Sequence, residues 1–178
     1  VIVLGLFSFT SYGLIGALLQ TLSHGFVAGA LFFLIGILYS RYHSRLLFYY
    51  GGIAMVMPLY SSFFLIFTLA NIALPGTSSF CGEFLILLGI FIDNFFIAIL
   101  AALGVILCGS YSLWLYNRLI FGNFKTNYLI NYYDLTMREL VILIPFVIFV
   151  IVFGIYPDMF FDFTESTILF LFFNNLLI

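Results

Sequence analysis

The sequence predicts an all-α fold: a polytopic transmembrane helix bundle of four spans plus a partial N-terminal helix, with one helix broken within residues 58–92. Three observations carry that expectation. Apolar residues make up 65% and charged residues 7% of the 178-residue chain, and the mean hydropathy is +1.29. No soluble domain of this size covers itself with so little polar surface. Apolar runs long enough to cross a bilayer core of ~30 Å alternate with short polar segments. One such run, Pro58 to Ile92, is interrupted at Leu74-Pro75-Gly76-Thr77 and carries a lone carboxylate, Glu83.

Taken in order, Val1 to Phe7 is too short to span and reads as the tail of a preceding helix. Ser8 to Gly13 is a polar turn, and Leu14 to Leu38 a long span flanked by the interfacial rings of Tyr39 and Tyr42. A loop, Ser40 to Gly52, leads to the broken stretch, which ends at Asp93-Asn94. Ile97 to Leu115 is the third span and residues 118–138 the longest polar loop. Leu140 to Tyr156 is the last span, with Pro145 kinking its first turns and Pro157 ending it. Ile168 to Phe173 is too short to cross and is expected to lie on the surface. The whole of residues 1–178 reads as a single membrane domain.

As one continuous helix the stretch 58–92 would be about 52 Å long at ~1.5 Å per residue, too long for one straight span. Pro75 removes a backbone donor and Gly76 adds backbone freedom, so the helix breaks there, and Thr77, Ser78 and Ser79 are placed to cap its second half. Charge placement selects between one crossing and a hairpin. With one crossing Arg41, Arg45, Arg118, Lys125 and Arg138 all fall on one face, the pattern of a cytoplasmic or matrix side. A hairpin would split them.

Several function classes are excluded or unsupported. The five Lys and Arg residues form no dense patch, so no nucleic-acid partner is expected. Cys81 and Cys108 both fall in apolar spans with no zinc or iron–sulfur spacing, and no phosphate loop or dinucleotide fingerprint is present. The first residues show no charged n-region, short apolar stretch and cleavage site, so no signal peptide is expected there. Twenty-five Phe among many Ile, Tyr and Asn residues fit translation of an AT-rich, organellar gene.

Glu83 is the foremost candidate for chemistry. Counted back from Asp93 it lies ~15 Å into the membrane, near the midplane. A carboxylate facing hydrocarbon is too costly, so it must meet protein, a polar partner or water, and intramembrane acids mark ion and proton pathways. The blander role is a static carboxyl holding the unwound backbone. His24 lies at similar depth in the first span and could pass a proton between its two nitrogens; its alternative is an imidazole bonded to a carbonyl or to Ser23. Thr68, Asn71, Thr77, Ser78 and Ser79 cluster around the break, either lining water or satisfying backbone groups freed by Pro75. Gly25 and Gly29 fit GxxxG and are expected to pack against another helix. Ser110 and Ser112 read as helix-packing hydroxyls.

The segments LSHGFVAGALFFLIGILYSRYHSR, YYGG, FTLANIALPGTSSFCGEFLILLGIF and YSLWLYNRLIFGN closely resemble the chain 4 family of respiratory NADH:ubiquinone oxidoreductase (complex I), in its mitochondrial form. The resemblance covers nearly the whole chain but only the C-terminal third or so of that family. It implies an antiporter-like, proton-translocating subunit of the mitochondrial inner membrane, coupled to quinone reduction elsewhere in the complex. Glu83 matches the acid of the family's second broken helix, near the exit to the outer side, and His24 a histidine of its central hydrophilic axis. NADH, FMN, iron–sulfur clusters and ubiquinone would belong to other subunits, so no cofactor is expected on this chain. Its partners would be the lipid bilayer and the other membrane-arm subunits.

The family's intramembrane lysines lie in earlier helices that this sequence lacks; its one lysine is Lys125. A separate chain from a divided gene is expected to carry that N-terminal part, with a fragment of a longer product as the alternative. Two other functions fit the same residues: a subunit of a multi-chain cation/proton antiporter, and a scaffold that has lost transport. A plastid form of the complex is also compatible.

Overall fold

The computed structural model describes residues 1–123 and 133–164. Among them the regular structure is helical: α1 (Ile2–Phe7), α2 (Ser11–Tyr42), α3 (Pro58–Asn71), α4 (Ser78–Asp93), α5 (Phe95–Ile120) and α6 (Met137–Ile155), with two single 3-10 turns between α2 and α3. Helices α2, α5 and α6 are each long and apolar enough to cross a membrane, whereas α3 is shorter. The apolar segment 168–173 and Lys125 lie outside the described residues.

Three helices outrun their expected bounds, for identifiable reasons. The predicted turn before α2 shrinks because Thr10 caps the helix, its Oγ1 accepting from the Gly13 N–H at 3.1 Å. At its other end α2 runs on to Tyr42 and stops where His43 turns left-handed and donates its N–H to the Tyr39 carbonyl. Asn94 starts α5 two residues early by accepting from the N–H groups of Phe96 and Ile97. Thr136 and Glu139 form a reciprocal capping box, which moves the start of α6 back to Met137. Polar residues did not end these helices; capping geometry did.

The break between α3 and α4 is built from backbone. Leu74 N–H donates to the Leu69 carbonyl and Ala73 N–H to that of Ala70, both at 3.1 Å, the paired bonds of a Schellman terminus. That motif needs a left-handed residue, and Ala73 supplies it at φ 60°, where glycine is the usual choice. Pro75 follows, unable to continue the helix, and Gly76 turns the chain at φ 93°. Helix α6 braces this turn from behind: a Cβ on Gly154 would come within 2.6 Å of the Thr77 backbone.

The two halves of the broken stretch run end to end along α2, antiparallel to it, without folding back as a hairpin. Met57 lies beside Arg41 near the C-terminus of α2, Ser78 beside Ser23 near its middle, and Gly89 beside Gly13 at its start. At 32 residues α2 is about 48 Å long, so both halves fit against it. Small residues allow the approach. A Cβ on Gly16 would sit 2.9 Å from both the Gly82 carbonyl and the Ile86 nitrogen; one on Gly89 would sit 2.7 Å from the Gly13 nitrogen. The closest approach of α2 and α4 is thus made at Gly13 and Gly16. Gly29 meets only the Phe146 ring at 3.6 Å, and a Cβ on Gly25 would meet nothing within 4 Å. Ser110 and Ser112 each donate to their own helix's backbone, at Leu107 and Cys108, with Ser112 buried and Ser110 exposed.

Arg41 ties the other helix ends together. Its guanidinium bonds the carbonyls of Tyr133 and Asp134 and pairs with the Glu139 carboxylate at 2.8 Å, both side chains being mostly buried. The Asp134 carboxylate in turn accepts from the Leu59 and Tyr60 N–H groups at 2.9 and 3.1 Å, capping α3 from afar because Met57 offers no side-chain cap. The Gly52 N–H reaches the Phe121 carbonyl just beyond α5. Arg41, Arg118 and Arg138 thus gather at one end of the bundle.

Two outcomes follow. Gly16→Ala forces α2 and α4 apart and destabilises the protein by ~1–3 kcal/mol, while Gly25→Ala is tolerated; thermal melts of the two purified variants compare them. Arg41→Met strands the Glu139 carboxylate and costs roughly 1–3 kcal/mol, part of which returns when Glu139→Gln is added, as a double-mutant cycle in the same assay would read.

Candidate functional site

The polar residues of this chain's interior meet where α4 leaves the break. Because α2 and α4 are antiparallel and close, residues four apart on each share the facing surface: Gln20 and His24 on one helix, Ser79 and Glu83 on the other. Ser23 sits between, 1% exposed, its Oγ 2.5 Å from the Ser78 Oγ and 3.0 Å from the Ser79 Oγ. One turn on, the Gln20 Nε2 donates to the Glu83 Oε1 at 3.3 Å. Hydroxyl and amide here replace the water that a soluble protein would offer these groups.

A cleft of about 330 Å³ opens on this cluster. Glu83, Gln20 and His24 line it together with Ser79, Asn71 from the last residue of α3, and Tyr111 from α5. Cys108 lies beside Tyr111, its Sγ 3.4 Å from the phenol oxygen, and Val1 to Val3 form the rim. Glu83 is half-buried and His24 exposed. The carboxyl therefore faces protein on one side and the cleft on the other.

The structure sorts the sequence candidates. Glu83, His24, Asn71 and Ser79 come together at the cleft, and Ser78 backs it through Ser23. Thr68 does not reach it: it is buried and donates to its own helix at the Leu65 carbonyl, 2.9 Å away. Thr77 is partly exposed and donates to the Leu74 carbonyl at 2.8 Å, so it satisfies a backbone group freed at the break. The predicted cap by Thr77, Ser78 and Ser79 is not made by these hydroxyls; Thr77 holds the N-cap position without a side-chain cap bond, and both serines turn to Ser23. Leu74, Pro75 and Gly76 form the turn itself, outside the cleft lining. Cys81 and Cys108 are unpaired thiols, and no group of three or more His, Cys, Asp and Glu residues among the described residues could hold a metal.

Gln20 is the residue that sequence reasoning passed over. Its signal was present: an amide inside an apolar span, one helical turn from His24 and unable to face lipid without a partner. The partner lies 63 positions away, beyond the reach of local pattern.

Comparison with known proteins gives the family. The chain is 50% identical over 167 residues to NADH-ubiquinone oxidoreductase chain 4 of Marchantia polymorpha and of Arabidopsis thaliana, covering 94% of this chain and 34% of each relative. It is 46% identical over 158 residues to NADH-quinone oxidoreductase subunit M of Rhodobacter capsulatus, covering 89% of this chain and 31% of that protein. It thus spans about a third of the length of the curated relatives it matches. A chain of respiratory complex I from Thermus thermophilus with bound NADH superposes with a TM-score of 0.83 at 33% identity, over 90% of this chain and 33% of that one. The family model for NADH:quinone oxidoreductase/Mrp antiporter transmembrane regions matches residues 1–109, more than half of the sequence, and the chain belongs to that family.

Proposed function

We propose that this chain is part of a proton-translocating membrane-arm subunit of respiratory complex I, and that it contributes the outward half of a proton path. The observation that carries the reading is the Glu83 carboxyl held by Gln20 beside a helix break, in one cleft with His24, Asn71 and Ser79. A half-buried acid with polar neighbours and an open side is the arrangement a proton-loading group needs. The relatives' names speak for a link to NADH oxidation and quinone reduction; in this reading that redox chemistry lies elsewhere in the complex, and NADH, FMN, iron–sulfur clusters and ubiquinone belong to other subunits.

In this reading a charge change passed along the membrane arm alters the hydration and protonation of His24 and Glu83, and Glu83 releases its proton to the outer side. Moving one charge against ~150 mV costs ~3.5 kcal/mol, which the linked electron transfer must supply. The gathered arginines face the matrix of the mitochondrial inner membrane, by the positive-inside rule. The single passage of residues 58–92, which would make four spans in all, belongs to the same reading. Partners are the other membrane-arm subunits, together with the helices that make up the remaining two-thirds of the relatives' length.

The family also includes Mrp antiporters, so a cation/proton antiporter subunit is the second reading. Proton flux that depends on sodium or potassium and persists without electron transfer would select it. For the first reading, Glu83→Gln in the assembled complex keeps quinone reductase turnover measurable but lowers the proton-to-electron ratio by this subunit's share. Vesicle acidification recorded alongside NADH oxidation measures that ratio, and a full ratio in an assembled variant would falsify the role given to Glu83.

A further inference from the structure

Gln20 is 7% exposed, yet only one end of its amide is bonded. Nε2 donates to Glu83, while Oε1 is buried and has no hydrogen-bond partner among the described residues. A buried acceptor left unbonded is costly and calls for an explanation. The amide lies over Gly82, where a Cβ would come within 2.7 Å of Oε1, so the missing side chain there is what gives the amide its room. The bond to Glu83 is consequently the one interaction that decides which end of the amide points at the carboxyl.

The two ends of a primary amide differ in a single respect: one donates and the other accepts. An ionised carboxylate only accepts, whereas a protonated one also donates through its O–H. From these facts we infer that Gln20 is a positioning residue whose amide turns over with the protonation of Glu83. Nε2 donates to the carboxylate, and after a half-turn of the amide Oε1 accepts the proton of the carboxylic acid. The proton itself stays on Glu83 and travels to and from the cleft; Gln20 neither gains nor loses one. Glu83 would then remain tethered to α2, one turn from His24, in both of its states.

The inference rests on Glu83 changing protonation, as in the proposed function, but makes a separate claim. Other titratable groups face the same cleft: His24 on α2, Cys108 and Tyr111 on α5, and the Val1 amino group. Helix α3 contributes only the neutral Asn71, and Cys81 of α4 points to the Gly154 carbonyl of α6. A readout specific to the amide is therefore required.

Infrared difference spectra between low and high pH supply it, recorded on the assembled complex in lipid with isotope-labelled glutamine. The wild type is expected to show a carboxylic-acid carbonyl band together with a shift of a glutamine side-chain carbonyl band, and Glu83→Gln should abolish both. In Gln20→Met, of similar length but unable to donate or accept a strong bond, the amide signal should vanish and the acid band should move to the higher frequency of an unbonded carboxylic acid. An acid band unmoved in Gln20→Met overturns the inference. So does a wild-type Glu83 band with no accompanying amide shift, a test that needs no Gln20 variant to assemble. Full pumping by Glu83→Gln would remove the transport reading and leave these bands as expected, so the two failures are distinguishable.

Discussion

The close approach of α2 and α4 is the constraint on which the rest depends. In hydrocarbon every polar group must find its partner within the protein. Ser23 bonds Ser78 and Ser79, and the Gln20 Nε2 bonds Glu83; they reach only because Gly16, Gly82, Gly13 and Gly89 let the two backbones come nearly into contact. Each feature requires the other. Without the glycines the serines and the acid would be stranded, and without those bonds little beyond packing would fix the register of two apolar helices.

The break acts on the same contact. The chain stops α3 with a Schellman terminus and restarts at Ser78, and Ser78, Ser79 and Glu83 all address α2. The position of Gly154 against the turn makes α6 part of that device. That support is one-sided: α6 packs against the backbone of Gly76 and Thr77, while Leu74, Pro75 and Gly76 are themselves exposed. A carboxyl beside such a break gains a neighbourhood of hydroxyls and amide that a regular helix facing lipid would deny it.

Arg41 and Asp134 solve a different problem at the end of the bundle, where the helix termini leave backbone groups unmet. A planar guanidinium reaches two carbonyls and a carboxylate at once, and the Asp134 carboxylate serves two N–H groups of α3. Two charged residues thus tie together the ends of α2, α3 and α6.

By itself the sequence determined the environment and the elements. Its composition demanded a membrane, its apolar runs gave the helices to within a few residues, and Leu74-Pro75-Gly76 placed the break, because backbone sterics and missing donors act locally. Glu83 and His24 were also legible, since an ionisable group among twenty apolar ones stands out whatever it touches. Only the tertiary structure decided which polar residues share a cleft. Thr68 and Thr77 fell to their own backbone, Asn71 and Ser79 to the cleft, and Gln20 became the partner of Glu83. The closest helix approach likewise fell to Gly13 and Gly16. Both choices depend on the rotation and register of one helix against another, which many weak contacts set jointly and no local motif encodes.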